Sequence, residues 1–301
     1  MMERKNRGVK KRTSVSGSLI IALLVLFSGL PLVYVVSTSL STSRGLSAGR
    51  ILPEAITLDQ YRSLIINTDF LLWMKNSMII SGTTALLAVF VTSLSAYALS
   101  RFPFPGRRNI TSGLLIVQLF PNILALVAVY KILQILRLLD THAGLVLVYL
   151  AGAVPFSAWL IKGYFDSIPA TCEEAAAVDG AGPFRTFFYI TLPMSMPIIV
   201  VVFAFNFIAA YSDFLLAAVV LTEPKRYTLA LGLRSFLEGD FSTNWPQFCA
   251  GALLGALPIL LLFLAGSAVF QYSGGLGQKE HRATSGVKET IGSGRQGRLP
   301  L

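Results

Sequence analysis

Charge is what this sequence has little of. Lys, Arg, Asp and Glu make up 13% of its 301 residues, against about a quarter in an ordinary soluble domain. A water-soluble fold of this length needs more ionic surface than that, so the composition points away from a soluble enzyme or binding module. Histidine and cysteine are also scarce, with two of each. His142 and His281 are far apart and lack metal-ligand spacing, so no metal site is expected. No glycine-rich phosphate loop ending in Gly-Lys-Ser/Thr is present, so any ATP hydrolysis must come from another chain. Gly45-Leu46-Ser47-Ala48-Gly49 fits the spacing of a hydrolase nucleophile elbow, but it lies in a Ser/Gly-rich stretch with no strand before it. No catalytic residue is nominated.

What the sequence has in abundance is long apolar runs: Ser18 to Val36, Ser77 to Leu99, Ile110 to Tyr130, Ala143 to Ile161, Ile198 to Leu221 and Phe248 to Tyr272. Each approaches the ~20 residues that a helix needs to cross the hydrocarbon core. None shows the ~10-residue alternation of a membrane barrel, and in lipid the backbone must satisfy its own hydrogen bonds. The expected fold is an all-α integral membrane protein with six transmembrane helices. Residues 1–17 form a basic arm, 18–72 the first span and an external loop, 73–272 a five-span core, and 273–301 a Gly/Ser/Arg/Lys-rich tail expected to be mostly disordered.

The formal charge of +10 follows this topology. Arg4, Lys5, Arg7, Lys10, Lys11 and Arg12 precede the first run, Arg101, Arg107 and Arg108 follow the second, and Lys162 and Arg185 flank the loop after the fourth. Lys279, Arg282, Lys288, Arg295 and Arg298 follow the sixth. With six spans all these segments lie on one side, and the positive-inside rule makes that side, with both termini, cytoplasmic. The basic excess then reads as orientation and contact with the lipid bilayer, and no nucleic-acid partner is expected. A basic segment, an apolar stretch and the small residues Ser37 and Ser39 also resemble a signal peptide, but the apolar stretch exceeds the usual 7–15 residues, which favours an uncleaved first helix. Cys172 and Cys249 fall on opposite sides of the membrane, so they are not expected to pair.

Proline and glycine punctuate the connections. Arg101-Phe102-Pro103-Phe104-Pro105-Gly106 cannot continue a helix, and Pro121 is expected to kink the third span. The loop from Lys162 to Pro197 is more informative. Thr171 with Glu174 is a capping-box pattern, so a helix should begin there. Gly180 suits a left-handed stop and Pro183 the first turn of a second helix. Phe184, Phe187, Phe188 and Thr191 then share one face, and Leu192-Pro193 is expected to end the helix.

Taken together the loop reads Glu174-Ala175-Ala176, three residues, Gly180, nine residues, Ile190, one residue, Leu192-Pro193. This spacing resembles the EAA loop of binding-protein-dependent ABC importer permeases. Shorter matches extend the resemblance to the MalG-type permeases of maltose/maltodextrin importers: Leu52-Pro53-Glu54, Arg101 with Phe104-Pro105-Gly106, Gln118 with Phe120-Pro121, Thr141-His142-Ala143-Gly144, Lys162-Gly163-Tyr164-Phe165 and Tyr227-Thr228-Leu229-Ala230. The tail departs from that pattern: Ser285-Gly286-Val287-Lys288 matches the family's terminal segment only loosely, and further residues follow. The resemblance implies an ABC importer type I (MetI-like) permease core that translocates sugar by alternating access. It implies a second homologous permease chain, two ATPase subunits and an extracytoplasmic sugar-binding protein as partners. The loop would dock on the ATPase, with Glu174 offered to a cation there. ATP and Mg would sit on the ATPase, and no cofactor on this chain. A permease for another solute such as glycerol phosphate, an ion-coupled carrier and a nontransporting scaffold are the competing readings.

Asp213 is the one carboxylate within a span. At the centre of an isolated helix it would cost about 2.5–3.5 kcal/mol. Asn206, Ala209, Ala210, Asp213 and Ala217 would share one face of that helix. Asn206 and Asp213 read either as pathway-lining groups or as interhelical hydrogen-bond anchors.

Overall fold

The computed structural model describes residues 15–42, 55–237 and 243–267. The basic arm before residue 15, Gly45 to Glu54, His281 and the tail lie outside the described residues. The chain divides into two compact units, residues 1–68 with 234–254, and residues 69–233 with 255–301.

In the first unit, α1 (Val15–Ser39) is the first apolar run, and Pro31 lies within it. A single bridge joins Ser41 to Ile56, and α2 (Asp59–Asn67) follows. The Ser39 and Tyr61 hydroxyls hydrogen-bond at 2.7 Å, and the Gln60 amide donates to the Ser41 carbonyl at 3.2 Å.

The second unit is built on α3 (Phe70–Arg101), 32 residues long. Its buried stripe is rich in small residues, among them Ser77, Ser81, Ala85, Ala88, Thr92 and Ala96, which let neighbouring backbones approach closely. Ser81 and Thr92 donate back to the carbonyls of Ser77 and Ala88, so these hydroxyls are satisfied without an interhelical partner. The helix stops at Arg101 because Phe102 precedes a proline. Gly106, at φ 86°, turns the chain into α4 (Arg107–Gln118).

Pro121 does more than kink the third span. The helix ends at Gln118, a 3-10 turn occupies Asn122–Ala125, and α5 (Leu126–Ile135) leaves at 86° to α4. Proline's missing N–H and its restriction of the preceding residue account for a complete break. α6 (His142–Ser167) is capped by Thr141, whose hydroxyl accepts from the Gly144 N–H at 3.0 Å. α3 packs against α6 and α10 (Met196–Ser212), and α4 packs against α6.

Between α6 and α10 come α7 (Thr171–Val178), α8 (Pro183–Thr186), a π-helical stretch Phe187–Thr191 and α9 (Leu192–Met194). Beyond α10 are α11 (Leu215–Val220), α12 (Leu229–Arg234) and α13 (Trp245–Ser267), the last of which begins in the first unit and ends in the second. Among the described residues four helices are long and apolar enough to cross a membrane, or six if each of two bent pairs counts as one span. Among the described residues there is no β-strand, in agreement with an all-α membrane fold.

Two apolar clusters anchor the second unit. One gathers Ile80, Leu133, Leu145, Ala210 and Leu221, the other Ala96, Ile161, Phe165, Phe187 and Val202.

Candidate functional site

The loop between α6 and α10 is held by a polar chain that starts at Lys162. Its ammonium lies 2.5 Å from the Asp166 carboxylate, and Asp166 accepts from the Ser100 hydroxyl at 2.6 Å. Arg101 donates to Ser100 at 3.0 Å and pairs through Nε with Glu173 Oε2 at 2.8 Å. The other Glu173 oxygen accepts from the Thr191 hydroxyl at 2.9 Å. One series of contacts thus ties the ends of α3 and α6 to α7 and to the π-helical stretch. Asp166 and Glu173 were not foreseen as anchors. The available signal was the adjacent acid pair Glu173-Glu174, of which a helix can turn only one inward.

Glu174 is the member turned outward. It is exposed, and among the described residues its side chain has no hydrogen bond or ion pair. Ala175 is exposed and Ala176 buried, and Val178 and Phe184 are 88% and 73% exposed. The outward surface therefore sets apolar side chains beside Glu174, with Asp179 and Arg185 also exposed. Ile190 and Leu192 are half-buried and Pro193 is exposed.

Three local expectations need correction. Thr171 does not cap α7: the N-cap is Ala170, already helical at φ −61° and ψ −24°, so Thr171 lies inside the helix and no capping box forms. The four residues expected to share one apolar face divide, with Phe187 and Thr191 buried and Phe184 and Phe188 exposed. Phe187 packs against Tyr97 at 5.0 Å between ring centroids. Leu192-Pro193 does not end the helix either. The chain stays helical to Met194 and breaks at Ser195, with a 79° bend into α10. The widened π turn just before Pro193 relieves the clash between the proline ring and the carbonyl four residues earlier. Gly180 does adopt the left-handed conformation, φ 81°, with the Ala181 N–H closing on the Ala176 carbonyl at 2.9 Å. Pro183 does open α8.

The second region is a cavity of about 760 Å³ lined by α3, α4, α5, α6 and α10. Along α3, α6 and α10 its residues Thr84, Phe156 and Asn206 fall between those of the two apolar clusters. Asn206 is buried and donates to Ser157 Oγ at 3.0 Å and to the Val202 carbonyl at 2.8 Å. Asp213 is not inside a helix, contrary to the sequence expectation. α10 ends at Ser212, and Asp213 is extended at φ −68° and ψ 129°. Its Oδ1 accepts from the N–H groups of Leu216 at 2.9 Å and Ala217 at 3.3 Å, and from the Tyr149 hydroxyl at 2.9 Å. The carboxylate thus caps α11 and bonds to α6 at a break in the span, which relieves the cost of placing it at membrane depth. Ala217 accordingly belongs to a separate helix.

At the far end of the same bundle, Asp140 accepts from the N–H groups of Thr222 and Glu223 at 2.9 and 3.1 Å and lies 3.6 Å from Arg226. Burial pushes its carboxyl up, but those two N–H groups and the guanidinium together hold it below the usual carboxylate range.

A family profile described as binding-protein-dependent transport system inner membrane component matches residues 15–274. The chain belongs to that family. Similar members are the maltose/maltodextrin transport system permease protein MalG of Salmonella typhimurium, 35% identical over 283 residues, 88% of this chain and 94% of that protein, and the maltodextrin transport system permease protein MdxG of Bacillus subtilis, 38% identical over 207 residues, 69% and 74%. A solved bacterial ABC transporter involved in import of the acidic polysaccharide alginate aligns with a TM-score of 0.73 over 85% of this chain and 95% of that one, at 21% identity. That likeness shows the shared permease fold. In this family of inner membrane transport components the chain is a multi-pass permease subunit.

Proposed function

We propose that this permease subunit imports maltose, maltodextrin or a related oligosaccharide by alternating access, coupled to ATP hydrolysis on separate subunits. The observation that carries the reading is the loop. It offers Glu174, Ala175, Val178 and Phe184 to a partner while Glu173 and Arg101 brace it against the ends of the spanning helices. A surface braced in this way passes a partner's movement into α3 and α6 instead of absorbing it. The names of the relatives support the sugar class. The assembly comprises a second homologous permease chain, two ATPase subunits carrying ATP and Mg, and an extracytoplasmic sugar-binding protein, with both termini of this chain in the cytoplasm. This chain binds no cofactor of its own. Asp213, the one carboxylate at a break in the spans, has a structural role through Oδ1, which accepts from the Leu216 N–H of α11 and from the Tyr149 hydroxyl.

The test is ATPase activity in membrane vesicles that carry the assembly, with and without this chain and with and without sugar-loaded binding protein. Stimulation that requires both is expected. Sugar uptake driven by a proton or sodium gradient without ATP would refute the reading.

A further inference from the structure

A second cavity, about 710 Å³ in volume, opens where α3 ends, α4 begins and α6 nears its end. Three cations line it and no carboxylate does. Arg107 and Arg108 come from the first turn of α4 and Lys162 from α6, far along the chain. Lys162 is the innermost, with its side chain 15% exposed. Arg107 is half-buried and Arg108 stands exposed.

These charges are only partly answered within the chain. Lys162 pairs with Asp166, just outside the lining. Arg107 donates to the Ser100 carbonyl at 3.0 Å, a neutral acceptor that leaves its charge in place. Arg108 has no hydrogen bond or ion pair among the described residues. Three cations against one carboxylate leave a surplus of two positive charges. The positive-inside rule accounts for basic residues at this end of the bundle, but it does not call for their convergence on one cavity from two separate helices. Cations gathered in this way repel one another, and an anion among them turns that repulsion into charge-assisted hydrogen bonds.

The surroundings fit an anion carried by a lipid better than one free in solution. Lys162 lies little more than one turn inside the end of a spanning helix, at the depth of the headgroups. Ser112 and Leu115 follow Arg108 at helical spacing and are exposed, and Ile116 beside them is 65% exposed. Along that face of α4 the chemistry passes from cation to hydroxyl to hydrocarbon. A phospholipid runs in the same order, from phosphate through glycerol to acyl chain. Basic pockets between helices at a membrane surface take anionic headgroups. We propose that this cavity binds the phosphate of an anionic phospholipid between Arg108, Arg107 and Lys162, with the acyl chains lying along α4. The inference goes beyond the permease reading and does not depend on which solute is carried.

The test is native mass spectrometry of the purified permease–ATPase assembly titrated with phosphatidylglycerol. Phosphatidylcholine is the zwitterionic comparison and inorganic phosphate the soluble competitor. The variants are Arg108→Gln, Arg108→Gln with Lys162→Gln, and Lys131→Gln, which removes an exposed cation outside the cavity. Arg108→Gln breaks no contact among the described residues, so the melting temperature should hold. The wild type should retain phosphatidylglycerol in preference to phosphatidylcholine. The dissociation constant should rise roughly fivefold in Arg108→Gln and roughly twentyfold or more in the double variant, and stay at the wild-type value in Lys131→Gln. Unchanged retention in both cavity variants, or an equal loss in Lys131→Gln, would overturn the site. Displacement of the lipid by millimolar inorganic phosphate would make it a site for a soluble anion and overturn the lipid assignment. None of these results bears on the permease reading, which stands or falls on ATP-driven uptake.

Discussion

Removing the brace beneath the coupling loop should uncouple the protein before it unfolds it. Arg101 and Glu173 lie 2.8 Å apart with side-chain exposures of 17% and 12%, between an exposed pair, worth about 0–1 kcal/mol, and a fully buried one, whose disruption costs about 3–5 kcal/mol. Arg101→Ala should therefore destabilise by about 2 kcal/mol. Glu173→Ala should cost more, about 3 kcal/mol, because it also strips the acceptor from the fully buried Thr191 hydroxyl. The double variant should fall short of the sum by about 1–2 kcal/mol, the coupling of two residues in direct contact. The midpoint of SDS-induced unfolding of the purified assembly gives these values, and binding-protein-stimulated ATPase activity gives the functional effect. We expect stimulation to drop severalfold in each single variant at temperatures where all remain folded. Strict additivity, or full stimulation in Glu173→Ala, would refute the idea that this pair carries force from the loop to α3.

Three other outcomes follow from the geometry. Asp140 has its carboxyl held below the ordinary range, so its contribution to stability is complete above the unfolded-state value near 4 and is lost as pH falls through the lower folded value. Asp140→Asn should thus lower the melting temperature at pH 7, and the difference should shrink as the pH falls below the unfolded-state value near 4. At Gly144 a Cβ would collide with the Leu138 carbonyl oxygen, so Gly144→Ala should cost about 2 kcal/mol by thermal melting. For topology, single cysteines at Ser47 and Thr243 should react with an impermeant thiol reagent in intact cells, and one at Gly182 should not.

The spans were legible because hydropathy and length are local properties, and so were the stops set by Phe102-Pro103, Gly106 and Gly180, where backbone sterics decide. The corrections all involve tertiary structure. Whether Glu173 or Glu174 turns inward depends on Arg101, 72 residues earlier in the chain. The break at Asp213 depends on Tyr149 and on a helix restarting at Leu215, and an apolar run from Ile198 to Leu221 gives no sign of it. Thr171 carried the right spacing for a capping box, but Pro169-Ala170 starts the turn earlier and moves the threonine out of the cap geometry. The cavity could not be read from the sequence at all, since Thr84, Gln118, Phe156 and Asp213 come together only when five helices pack.

The central claim, that the loop transmits ATP hydrolysis to the spans, is tested most directly by sugar uptake and ATPase retention in Glu174→Lys and Gly180→Asp at matched membrane expression. Glu174 has no side-chain partner among the described residues, so reversing its charge disturbs no contact seen within the chain. Nothing lies within 4 Å of a Cβ placed on Gly180, so its replacement adds only left-handed strain of about 1–2 kcal/mol and a charge on the docking surface. Both variants should insert at near-normal level, lose uptake, and either bind the ATPase weakly or lose its stimulation by the binding protein. Normal uptake in both would contradict the account.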